Sequence, residues 1–210
     1  MRLAPMLPWN NWFHCIGSTY GSWLPGDSRG WRSRHHREHV QGDYKNPPPP
    51  GMYDGLHEVA RRNMDRGEIV LAWDQRALAC RAMAEDLQFQ EVEFVDLAVG
   101  PAHFHLLARF TPLGEAPGKG RRIAHLSDNG LDEFEKHKRV VRHILGNCKR
   151  KSARALCQAG LAAPGGVWAV RGRQVPILDR EHQLRVVQYI REHFLKEGAA
   201  VWSMIRKLEK

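Results

Sequence analysis

At 210 residues the chain is long enough to bury one substantial core, and it predicts a single domain with sizeable insertions over 1–210 rather than two equal halves. Lys and Arg number 32 against 23 Asp and Glu, a formal charge of +9 before any of the 12 histidines is counted, so the surface attracts polyanions. No apolar run approaches the roughly 20 residues that span a bilayer, and the opening MRLAPMLPW lacks a secretory layout. Cys15, Cys80, Cys148 and Cys157 form no CxxC pair, which argues against a zinc ribbon or redox dithiol. A cytoplasmic protein with packed, reduced thiols and no membrane partner is expected.

Residues 12–20, WFHCIGSTY, are rich in aromatic and β-branched types and predict a first strand, closed by the turn-forming LPGD at 24–27. The segment 32–73 is expected to be an irregular insertion. It opens with a basic cluster containing His35, His36 and His39, followed by four prolines at 47–50. Asp74 is a candidate N-cap for a helix to about Phe89, with Leu78, Met83 and Leu87 along it. VEFVDLAV at 92–99 and HFHLLARF at 103–110, joined by Gly100-Pro101, predict an antiparallel hairpin.

A second irregular insertion is expected over 111–130, with a basic knot from Lys119 to Arg122, before a long basic helix from about Leu131 to Ala159. Arg142, Lys149, Arg150, Lys151 and Arg154 lie along that helix. VWAVRGRQVPIL at 167–178 predicts a short strand or hairpin, and Asp179 caps a final helix from about Arg180 to Lys196. The order β, α, β, β, α, β, α predicts an α+β fold. Without the last helix it is the ferredoxin-like arrangement, an antiparallel sheet with two helices on one face.

Chemistry concentrates in two places. Positions two apart in a strand share a face, so His103 and His105 project side by side, although two surface histidines on a half-exposed strand would look the same. On the final helix Leu184, Val187, Ile190 and Phe194 make an apolar stripe, while His182, Tyr189 and His193 cluster on another flank. A phenol titrates near pH 10, so a nucleophilic Tyr189 needs a cation or base beside it; a packed amphiphile needs neither. A divalent ion polarising a phosphodiester and an in-line oxygen nucleophile together make strand cleavage, and a tyrosyl phosphodiester keeps the linkage for resealing.

Four segments carry a resemblance: TYGSWLPGDSRGW at 19–31, HFH at 103–105, VVRHILGNCKRKSARAL at 140–156 and YIREH at 189–193. Together they resemble the single-tyrosine HUH transposases, particularly the REP-associated tyrosine transposases and their insertion-sequence relatives. The resemblance covers about three quarters of the chain and departs from the family at Ala102, where Asn or Asp is frequent, and at His193, where Gln or Asn is common.

The resemblance implies Tyr189 as nucleophile on single-stranded, hairpin-containing DNA, with His103, His105 and His193 on Mg²⁺ or Mn²⁺. It implies DNA phosphates on the basic helix; monomer and homodimer both occur among such relatives. A binding protein that keeps the fold without catalysis, using Lys149, Arg150, Lys151, Arg154 and Arg142 on phosphates and Trp23 and Trp31 on bases, is the alternative. A hydrolase that uses water in place of Tyr189 is the third.

Overall fold

The computed structural model describes residues 8–31, 39–42, 45–111 and 132–204, apart from the side chain of Phe194. His35, His36 and the Lys119 to Arg122 knot lie outside the described residues.

After a short 3-10 turn at Trp9–Asn11 the elements run β1 (Trp12–Thr19), α1 (Asp54–Arg62), α2 (Trp73–Phe89), β2 (Glu93–Val99) and β3 (His103–Arg109). They continue with α3 (Glu133–Gln158), β4 (Trp168–Pro176), α4 (Arg180–Glu197) and β5 (Ala200–Ser203). The fold is α+β: a five-stranded antiparallel sheet in the order β4-β1-β3-β2-β5 with four helices among the described residues.

Side-chain alternation divides the sheet into two apolar faces. Phe13 and Cys15 of β1 and Phe104, Leu106 and Ala108 of β3 pack with Cys80, Met83 and Leu87 of α2 and with Val141, Ile144 and Cys148 of α3. Trp12, Ala98 and Leu107 point the other way and pack with Ile177, Val186, Ile190 and Ala199 under α4. Strand β3 is therefore central and covered on both faces, with only its ends open, rather than half exposed.

Two local expectations differ from the structure, and one strand was not foreseen. A helix, α1, occupies 54–62 inside the segment expected to be irregular; its cohesion comes from docking against the 19–31 loop rather than from a buried stripe of its own. Asp74 lies in the first turn of α2 and not at its cap, which is Ala72, whose N–H donates to Gln75 Oε1 at 2.6 Å. Strand β5, four residues long, was too short to show a pattern and is defined by its pairing with β2.

The seating of α4 also differs. Leu184 is 51% exposed, and the helix buries Gln183, Val186, Ile190 and His193. That face shares Ile190 with the apolar stripe and is otherwise shifted by one residue, a turn of less than about 100°, which brings His193 down onto the polar groups of the sheet. Asp179 Oδ1 accepts from His182 N–H at 2.7 Å at its start, as expected, and Gly198 ends it in the left-handed region. Arg76 Nη1 donates to the carbonyls of Glu197 and Gly198, tying that end to α2.

Candidate metal centre and nucleophile

The β3 histidines emerge from the sheet on the α4 side. Register aligns Ser18 with His103 and Ile16 with His105 on β1, and Ala98 with His105 on β2. Above them α4 lowers His193, which is buried, and Tyr189 one turn earlier, which is 48% exposed. The ring centroids of His105 and His193 are 4.4 Å apart and stacked, and His103 lies 4.8 Å from His105 and 5.2 Å from His193. Ligand atoms of the three imidazoles all fall within 4.8 Å of one another, close enough to hold a metal ion. Tyr189 sets its ring edge-on against this group, 5.2 Å from His105 and 4.8 Å from His193.

Two members of the site escaped the sequence reading. His14 on β1 stacks on His105 and places Nε2 2.9 Å from His105 Nδ1. Glu197, one turn beyond His193, brings Oε1 to 3.4 Å from His193 Nδ1 and Oε2 to 3.6 Å from His103 Nε2. The signal for Glu197 was the spacing 189, 193, 197 on one helix flank. His14 carried no local signal, since it reaches the site only through the β1–β3 ladder. His182, expected beside Tyr189 and His193, accepts the Leu178 N–H on Nδ1 at 3.2 Å and lies near enough to His14 to act on it electrostatically.

Electrostatics favour neutral imidazoles. Burial, followed by the charges of His103, His14 and His193, pushes His105 down to about 2. Burial, followed by His182, Arg173 and His193, pushes His14 down to about 4. His103 is also lowered, chiefly by burial, with Glu197 opposing. Neutral imidazole is the state that ligates a metal.

The buried orphans point the same way. His105 Nε2 and His193 Nε2 have no hydrogen-bond partner among the described residues, an expensive arrangement unless a ligand completes it. If His105 donates through Nδ1–H to His14 Nε2, its Nε2 lone pair faces the cluster free. The opposite tautomer would bury an N–H against nothing. The three histidines thus fit a divalent cation.

The 19–31 segment fastens the strand that carries the first of them. Thr19 N–H and the hydroxyls of Thr19 and Ser22 all donate to the Ala102 carbonyl, at 2.8, 3.1 and 3.1 Å, just before His103. Ala102 thereby meets β3's entrance through its backbone, which any side chain would supply. Trp23 is 45% exposed with the Arg29 guanidinium 4.6 Å above its ring, while Trp31 is half-buried and its carbonyl accepts Val40 N–H.

The basic helix is not beside this centre. Helix α3 packs on the opposite sheet face, with Arg142, Arg150, Lys151 and Arg154 exposed along it. Lys149 turns inward: Nζ donates to the carbonyls of Ala169 and Arg171 on β4 at 2.8 and 3.1 Å, and burial lowers it to about 8. On the site's own face the register of β4 aligns Arg173 with Ile16, beside His14.

Comparison of the chain with protein-family models, with curated proteins and with solved structures finds no match.

Proposed function

We propose that this protein is a metal-dependent DNA strand-transferase of the HUH type, cutting single-stranded DNA through a 5′-phosphotyrosine at Tyr189. The observation that carries the reading is the convergence of a half-exposed tyrosine with three imidazoles close enough to share one ion. Leaving aside β5 and α4, the order β4-β1-β3-β2 with α2 and α3 on one face supports reading the sheet as ferredoxin-like, the architecture that the resemblance implies.

His103, His105 and His193 would hold the ion, with Glu197 next to two of them. When bound, a divalent cation supplies Lewis-acid polarisation of the scissile phosphodiester. Three nitrogen donors and a neighbouring carboxylate favour Mn²⁺ over Mg²⁺, which prefers oxygen.

The tyrosine side chain does the covalent work. Its oxygen attacks phosphorus in line, forming the Tyr189 O–P bond as the phenolic proton is released. The P–O3′ bond breaks, and the departing oxygen takes up a proton to become a 3′ hydroxyl. Attack by a 3′ hydroxyl on the tyrosyl phosphate reverses these changes and reseals a strand, with no nucleotide cofactor consumed. Because Tyr189 contacts histidines of its own chain, we read the site as complete in one protomer.

The test is Tyr189→Phe, assayed with Mn²⁺ or Mg²⁺ on hairpin-containing single strands from the DNA flanking the native gene. The wild type should yield a denaturation-resistant adduct that maps to Tyr189, and the variant should bind DNA and melt normally yet form none. Cleavage by the phenylalanine form at the wild-type rate would replace the tyrosine by water as nucleophile.

A further inference from the structure

A cleft of about 360 Å³ opens between the 19–31 loop and α1 with its following turn, walled in part by Asp27, Arg29, Asp54, His57, Arg61 and Glu68. The loop glycines make its base tight. A Cβ at Gly26 would lie 2.6 Å from His57 N, and one at Gly21 would lie 2.4 Å from Met64 Cε. These positions leave the two walls in direct contact and the space above them open.

One wall of the cleft is an arginine held in place on three sides. Arg29 donates from Nε to Asp27 Oδ1 at 2.8 Å and from Nη2 to the Ser22 carbonyl at 2.6 Å, and Nη2 also bonds Asp27 Oδ2. Its plane rests over Trp23. Nη1 makes no hydrogen bond among the described residues, and the side chain is 49% exposed. A guanidinium fixed in this way, with one donor edge free, suits a phosphate oxygen.

The cleft also adjoins the metal centre. Arg29 bonds the Ser22 carbonyl, and the Ser22 hydroxyl bonds the carbonyl of Ala102, the residue before His103. Its volume is at the small end for ligand pockets, suited to one nucleotide and too small for a base pair with its two backbones. Donors on Arg61 and His57 and acceptors on Asp54 and Glu68 match the mixed edge of an unpaired base.

We infer that this cleft is a subsite for one nucleotide of single-stranded DNA, with the base inside and the phosphate on Arg29. The inference rests on the single-strand reading above, but not on catalysis by Tyr189. Its test therefore uses the non-cleaving Tyr189→Phe background, with fluorescein-labelled dC12, dT12 and an abasic 12-mer of equal charge as probes. At least one base-bearing strand should bind about tenfold more tightly than the abasic strand.

Ser28 is exposed and lines the cleft, so Ser28→Tyr fills it without removing a buried contact. That variant should lower the base-dependent ratio at least fivefold and leave abasic affinity within twofold. Arg29→Ala should weaken every strand and reduce the slope of log K against log salt by about 0.7, the share of one single-strand phosphate. Melting curves establish that each variant is folded.

An unchanged ratio in folded Ser28→Tyr overturns the subsite alone. Binding of neither strand overturns it together with the single-strand reading. Mononucleotides dAMP, dCMP, dGMP or dTMP binding as tightly as the 12-mers would overturn it in favour of a free nucleotide.

Discussion

His14 Nε2 lies 2.9 Å from His105 Nδ1 across the β1–β3 ladder, and the bond decides which nitrogen of His105 is left to ligate. His14 faces Leu107 in register and reaches His105 diagonally, so a residue 91 positions away orients the cluster's most buried ring. A second residue that fixes a ligand's tautomer typically contributes ten- to a hundredfold in metal affinity. His14→Phe keeps a ring in the slot and removes the acceptor. Mn²⁺ or Co²⁺ affinity should fall by about ten- to a hundredfold while the melting transition stays cooperative; unchanged affinity would make His14 a packing residue only.

Acid should destabilise the metal-free protein over a defined window. Unfolded histidines take up protons near pH 6.5, whereas His14 and His105 in the native state resist protonation down to about 4 and about 2. The unfolded state binds more protons between these limits, so stability falls as pH drops below about 6.5. At least two protons drive the fall to pH 4, with His103 adding to them, and His105 continues it below. Urea midpoints in chelator from pH 7 to 4.5 should decline, and His14→Phe should decline less steeply. A flat profile in both would show that these rings are not held neutral.

Lys149 and its exposed neighbours should separate in their effects. Lys149→Met strips the donors from two β4 carbonyls and should cost about 1–3 kcal/mol of stability by urea unfolding, with little change in the salt dependence of DNA binding. Arg150, Lys151 and Arg154 are solvent-facing, and replacing all three by alanine should flatten that dependence with little loss of stability. The reverse pattern would return Lys149 to the DNA-contacting set.

Arg191 should anchor the tyrosine helix. Its Nε donates to Asp96 Oδ2 at 2.9 Å, and Asp96 is fully buried, with Oδ1 having no partner among the described residues. Arg191→Met leaves that carboxylate alone and should cost about 2–3 kcal/mol, less than a fully buried pair because half of the guanidinium meets solvent. Adding Asp96→Asn should recover much of the loss. If the single variant is as stable as the wild type, α4 is held by Val186 and Ile190 without help from this pair.

The sequence by itself determined the elements whose information is local. Strand-type composition beside the Gly100-Pro101 turn marked β3, the two-residue repeat of a strand put His103 and His105 on one face, and Asp179 marked a helix start and makes the expected side-chain cap. Spacing along α4 joined Tyr189 to His193. Only the tertiary structure decided which flank of α4 meets the sheet, because Gln183 and His193 are polar by composition and buried by what lies under them. It alone brought His14 to His105, turned Lys149 away from solvent and set α3 on the face opposite the histidines. Each of these depends on contacts between elements far apart in the chain, and no hydrophobic period within one element encodes them.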